Sequence, residues 1–137
     1  MGKVMQISEA GMVAFHALAI LAREQGLRIK GDKIAGALKV SQGHLEKILQ
    51  TLEKHGLISA VRGPAGGYLL AKDSRRITLL EIYEAIEGKL VPEECFWDKT
   101  VCSGRKCLLG GLSESVHRQV RDYLSKTRLS EVKDIYR

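Results

Sequence analysis

Three cysteines, Cys95, Cys102 and Cys107, fall in one short window with the spacing Cys-x6-Cys-x4-Cys. Thiolates are soft ligands that select zinc, copper(I) and iron–sulfur clusters. An odd number argues against a disulfide framework and toward metal or redox chemistry. The spacing is not the paired Cys-x2-Cys of a zinc ribbon. A cluster usually takes four thiolates, and this chain offers three. Lys99, Arg105 and Lys106 surround the thiols. Their charge would partly offset that of an anionic cluster. The residues alone leave three readings open. One is an iron–sulfur cluster, [2Fe–2S] or [4Fe–4S]. The second is a zinc site or a thiol redox switch. The third is inert cysteines.

A second set of residues suits a polyanion. The formal net charge is +6, and all of it lies in the first half: twelve Lys/Arg face six Asp/Glu up to Arg76, and ten face ten from Ile77 onward. Such asymmetry points to nucleic acid, although surface Lys/Arg also serve solubility. The elements that must position this charge read as follows. Ser8 to Gln25 is a first helix, with Ala10, Val13, Ala17, Leu18 and Leu21 near a 3.6-residue period and Gly26 after it. Asp32 is expected to cap a short second helix. Lys39-Val40 turns the chain, and Ser41 caps a third helix carrying Leu45, Ile48, Leu49 and Leu52 at i, i+3, i+4 and i+7. The short turn between the second and third helices fits a helix-turn-helix. Leu57 to Val61 and Tyr68 to Ala71 read as strands around a Gly/Pro-rich tip, Arg62-Gly63-Pro64-Ala65-Gly66-Gly67. Helix-turn-helix followed by a hairpin is the winged-helix arrangement. Arg62, beside the tip, is placed where a cation enters a minor groove.

Thr78 and Glu81 form a capping box for a fourth helix that Gly88 ends. From Lys89 to Gly111 the periodicity disappears, a loop long enough to suspect of function, and it holds all three cysteines. Leu112, Val116, Val120, Tyr123 and Leu124 mark a long terminal helix. Its apolar stripe has no obvious partner in so small a chain, and a second copy would cover it. Leu129 to Tyr136 adds a short helical turn. The expected fold is mainly α with a small β-hairpin wing. The expected division is a DNA-binding part over 1–88, a cysteine loop over 89–111, and a dimerisation helix and tail over 112–137.

Other functions find no support. No phosphate loop or dinucleotide fingerprint occurs, and Gly63 to Gly67 is not followed by a helix. His55 and His117 have no evident acid partner, so an enzyme is not expected, and no small-molecule substrate is implied. The start is not a signal peptide, and the apolar run Met12 to Ala22, interrupted by His16, is too short to span a bilayer. A cytoplasmic chain with no membrane partner is expected.

Taken together, these residues resemble the IscR/NsrR/CymR family of bacterial regulators. The similarity is carried by Met5-Gln6-Ile7-Ser8, by Ser41-Gln42-Gly43-His44-Leu45-Glu46-Lys47-Ile48-Leu49, by Val61-Arg62-Gly63-Pro64-Ala65-Gly66-Gly67-Tyr68-Leu69-Leu70, by Ile77-Thr78-Leu79-Leu80-Glu81-Ile82, and by Cys95, Cys102 and Cys107-Leu108. It runs over about residues 5 to 132. The resemblance implies a winged-helix homodimer, crossed through its long helices, that binds double-stranded DNA and controls transcription. Cluster-bearing members sense iron–sulfur status, nitric oxide or redox state. A cysteine-free branch does other work, such as controlling sulfur metabolism.

The first turn of such a recognition helix faces base edges. Here it offers Ser41, Gln42, Gly43 and His44, with Glu46 and Lys47 behind. Gln42 suits adenine, Glu46 can accept from a cytosine amino group, and His44 or Lys47 suits a phosphate or guanine. The resemblance places Ser41, Glu46 and Arg62 at positions that contact DNA in relatives. Gly43 departs from a frequent serine, and Lys47 from the glutamine of one branch. Some relatives complete their cluster with a histidine three residues after the last cysteine, but Gly110 stands there in this chain. Others take a ligand from the partner's first helix. His16 is the first candidate, similar to the helix 1 histidines of a cluster-binding branch; a core histidine with satisfied nitrogens is the plain alternative. Met12 occupies a position where relatives can supply a carboxylate, and Glu9 and His117 are further possibilities.

Overall fold

In a computed structural model, residues 6–91, 95–97, 99, 101–103, 105 and 107–135 are described. Met5, Lys106 and Tyr136, used in the sequence reading, lie outside them. Helix α1 spans Glu9–Arg23. The Ser8 side chain accepts from the Gly11 N–H at 3.1 Å and caps it. Glu87, at the end of α4 (Leu79–Glu87), accepts from both the Ser8 hydroxyl and the Ser8 N–H. One carboxylate therefore ties the start of the first helix to the end of the fourth.

Helix α2 is Gly31–Leu38, and its N-cap is Lys30, with no side-chain capping bond. Asp32 is not the cap; it lies in the first turn, where its charge complements the helix dipole. The cause is long-range. Ile29 exchanges two backbone hydrogen bonds with Tyr68, at 2.9 and 2.8 Å, so the chain is held in an isolated bridge at Ile29 and must turn into helix two residues later. Lys39 adopts the left-handed conformation (φ 57°) in the turn to α3, Gln42–Lys54. Ser41 caps α3 by accepting from the His44 N–H at 3.2 Å.

Strands β1 (Ile58–Val61) and β2 (Gly67–Leu70) pair antiparallel, with Ile58 opposite Leu70 and Val61 opposite Gly67. The capping box of Thr78 and Glu81 starts α4 as the sequence predicts. Helix α5 is Leu112–Lys126 and a short α6 is Leu129–Val132. One hydrophobic core unites these elements. Leu18 and Leu21 of α1, Leu49 of α3, Ile58, Ile82 and Leu129 are all fully buried within it. Leu129 reaches the core because its N–H donates to the Ile77 carbonyl at 2.8 Å, while the Leu79 N–H donates to Thr127 at 3.0 Å. The segment after the long helix thus folds back onto the helical body. No helix among the described residues is long and apolar enough to cross a membrane.

Candidate nucleic-acid interface and cysteine loop

Helix α3 buries Leu45, Ile48, Leu49 and Leu52 and turns its polar residues outward. Gln42, Glu46 and Gln50 recur every four residues and line an open groove between α3 and the wing, together with Glu53, Arg62 and Tyr68. The structure therefore brings Gln42, Glu46 and Arg62 to one groove. Ser41, His44 and Lys47 are exposed on α3 but do not line it. The Ser41 oxygen is engaged in the cap, which fixes the first turn that presents Gln42 and His44.

Three residues that the sequence reading did not single out as site residues shape this groove. Glu53 accepts from the Ala60 N–H at 3.1 Å and locks β1 against α3. Gln50 extends the Gln42–Glu46 row by one more turn; that four-residue spacing was the available signal. Tyr68 stands between carboxylates. Burial first, then Glu46 and Glu53, push its phenol above the ordinary value, so it remains a neutral donor.

The wing tip is a tight turn, closed by the Gly66 N–H donating to Gly63 at 2.9 Å. A Cβ on Gly66 would lie 2.2 Å from the Val61 carbonyl oxygen, so glycine is required there. Arg62 follows β1 directly and is exposed.

All three cysteines are free and exposed. The Cys95 sulfur accepts from the Trp97 N–H and the Cys107 sulfur from the Leu109 N–H, both at 3.4 Å. Lys99 lies 5.8 Å from the centre of the Trp97 ring. The loop leaves the core at Leu90, which is buried. The Leu90 N–H donates to Glu84 at 2.8 Å, and its carbonyl accepts from Arg121 of α5 at 3.4 Å. Both neighbouring helices thus clamp the loop's start. Among the described residues, no three His, Cys, Asp or Glu side chains are grouped to hold a metal. His16 is half-buried and lines an apolar groove with Met12, Phe15, Tyr123, Leu124 and Leu129. Among the described residues, no cysteine lines that groove, and His16 is not grouped with the thiols.

Comparison with known proteins decides the family. Residues 7–134 match the Rrf2 family, described as iron-dependent transcriptional regulators. The chain belongs to the Rrf2 family. It is 32% identical over 125 residues to the HTH-type transcriptional regulator IscR of Escherichia coli, covering 91% of this chain and 67% of that one. Its fold matches CymR, the global cysteine regulator of B. subtilis, with a TM-score of 0.81 at 25% identity, covering 97% of this chain and 99% of that one. It also matches IscR of T. potens with a TM-score of 0.73 at 27% identity, covering 96% and 89%. This Rrf2 chain is accordingly a winged-helix transcriptional regulator rather than an enzyme.

Proposed function

We propose that this Rrf2 regulator is a homodimer that binds double-stranded DNA through α3 and the wing, with an affinity set by an iron–sulfur cluster on Cys95, Cys102 and Cys107. The observation that carries the reading is the position of the thiols. They are free and exposed in a loop whose start is clamped between α4, part of the DNA-binding body, and α5. The donor chemistry suits the group: three soft, exposed sulfurs with no disulfide among them, although they are not gathered around one point in the single chain. A bound cluster would supply a centre sensitive to oxidation, nitric oxide and cluster loss.

The chain's own residues do the rest. Gln42, Glu46 and Arg62 face the duplex from one groove, while Ser41, His44 and Lys47 flank it on the exposed side of α3. Residues 1–88 bind DNA, 89–111 hold the cluster, and 112–137 join the two copies. Leu112 is 49% exposed and Tyr123 60% exposed on α5. Tyr123 also borders the groove that contains His16, so a second copy lying on α5 would meet His16. His16 of the partner subunit is then the proposed fourth ligand. A site shared between copies would bias two dimer arrangements with different DNA affinity.

Anaerobic purification tests this, with visible absorption, iron and sulfide per chain, and sedimentation velocity. Iron and sulfide in matching amounts, with absorption bands lost in Cys102→Ala and altered in His16→Ala, are expected. A chain that stays colourless after cluster reconstitution would remove the cluster and leave a thiol switch or zinc site. A duplex selected by the protein from a random-sequence pool then reads DNA affinity. Equal affinity for the wild type and the Cys95/Cys102/Cys107→Ala triple variant under every redox condition would end the regulatory reading.

A further inference from the structure

Besides the Ile29–Tyr68 bridge, a side-chain contact from Arg28 ties the wing to the helical body. Gly26 lies in the turn after α1 with φ at +91°, and the chain then passes through Ile29 and the extended Lys30 into α2. Ile29 is buried and bridges Tyr68 through its backbone. Ile29 turns into the core, while its neighbour Arg28 is exposed. Its Nη1 donates to the Ala65 carbonyl at 3.2 Å, across 37 residues of sequence. Ala65 is the middle of the wing tip, three residues beyond Arg62. The tip's own Gly66–Gly63 bond closes the turn but does not fix its direction relative to α3. The Arg28 contact adds a direct tie from the tip itself to the segment that leads into α2, beyond the Ile29–Tyr68 bridge at the base of β2.

We propose that Arg28 is a positioning residue for DNA binding: through Ala65 it holds the wing so that Arg62 faces the duplex beside α3. This rests on the DNA-binding reading above. A guanidinium donates several hydrogen bonds in a fixed fork, so it can direct a carbonyl where a point charge would only attract it. Its charge could alternatively meet a phosphate directly, and the two roles separate by salt dependence. Each phosphate contact adds a slope of about 0.9 to the fall of log affinity with log salt on duplex DNA. A latch adds none; it changes only the fraction of chains whose wing is competent, and affinity falls in proportion to that fraction.

The test uses the full chain and the duplex it selects from a random pool, titrated by fluorescence anisotropy at several salt concentrations. Arg28→Ala, at an exposed position, is expected to fold normally. It should bind about fivefold more weakly at every salt concentration, with an unchanged slope. Arg62→Ala should lower the slope by about one. The double variant should bind no more weakly than Arg62→Ala alone, because Arg28 acts through Arg62. Hydrogen exchange of the Gly66, Gly67 and Tyr68 amides should quicken in Arg28→Ala without DNA present. A slope that falls by one in Arg28→Ala, or losses that add in the double variant, would overturn the latch in favour of a direct phosphate contact. Unchanged affinity and exchange would overturn it outright. If the wild type bound no duplex, the DNA-binding reading would fail instead, and exchange would still decide whether Arg28 holds the tip.

Discussion

Gly67→Ala tests the join between wing and body most directly. Gly67 opens β2 with φ at +145°, a region L side chains rarely adopt. An added Cβ would stand 2.8 Å from the Ile29 carbonyl oxygen and 2.9 Å from its carbon. Both are backbone atoms, so no side chain can swing aside. Holding a non-glycine residue in such a conformation costs about 1–3 kcal/mol. Relief requires β2 to move off Ile29, losing two hydrogen bonds of 2.9 and 2.8 Å with Tyr68. Each is worth about 1 kcal/mol net. The chain can take the strain or break the bonds, so the expected loss is set by the cheaper route, about 2 kcal/mol, rather than by the full sum. With a urea dependence of about 2 kcal/mol per molar, the unfolding midpoint drops by about 1 M. Circular dichroism during urea titration reads it. Gly36→Ala is the control: that glycine is helical with nothing within 4 Å of its added Cβ. Alanine there should stabilise by up to about 1 kcal/mol through helix propensity. A Gly67→Ala midpoint equal to the wild type would show that the wing does not approach Ile29 this closely.

Ser41→Ala removes the cap of α3 and should cost about 1 kcal/mol, seen as a thermal midpoint lower by about 3–5 °C. Asp73→Asn addresses pH. Hydrogen bonds from the Arg75 side chain, then from its backbone N–H, hold the Asp73 carboxyl well below the usual range. A lowered folded value means the contribution is present above the unfolded value of about 3.9 and drains away as pH falls further. The stability gap between wild type and Asp73→Asn, followed by thermal melts, should be small at pH 7 because the pair is exposed, and should close in strong acid; a gap that widened there would contradict the assignment. His117→Leu should stabilise. Among the described residues, its Nδ1 is buried without a hydrogen-bond partner, and such a group costs about 1–3 kcal/mol. A lower denaturation midpoint would show instead that Nδ1 finds a partner in solution.

Local chemistry made most of the fold legible. Ser8, Ser41 and the Thr78–Glu81 pair each announce a helix start because a side chain two or three residues upstream can satisfy the free N–H groups of its own first turn. The error at α2 has the opposite origin. Asp32 looked like a cap locally, but Ile29 is claimed by Tyr68, 39 residues away, and that pairing sets where the helix begins. No periodicity in Arg28-Ile29-Lys30 reveals a strand so short. The groove divides the same way. Gln42 and Glu46 follow from α3 periodicity, and Arg62 from its place beside the tip. Glu53 and Arg28 gain their roles only when β1 and the tip fold back on them. Type and spacing alone single out Cys95, Cys102 and Cys107 as candidate ligands; on the proposed reading, a set completed by a second copy would not be encoded in one chain's contacts.

The sign of the charge in the groove bears on specificity. The N-terminal half carries the entire basic excess, yet the groove between α3 and the wing holds Glu46 and Glu53. Glu53 is partly satisfied by the Ala60 N–H. Glu46 has no such contact among the hydrogen bonds described. With α3 in the major groove, an unsatisfied carboxylate beside phosphates is repelled unless a base donates to it, as a cytosine amino group can. On the proposed reading, Glu46 therefore lowers affinity for duplexes that lack a donor at its position, while Arg62 and the surrounding lysines raise affinity for any duplex. Replacing Glu46 with Gln would weaken that discrimination more than it weakens binding. Attraction from the basic half and repulsion from this one side chain then act on different sequences, which is how a strongly basic domain can remain selective.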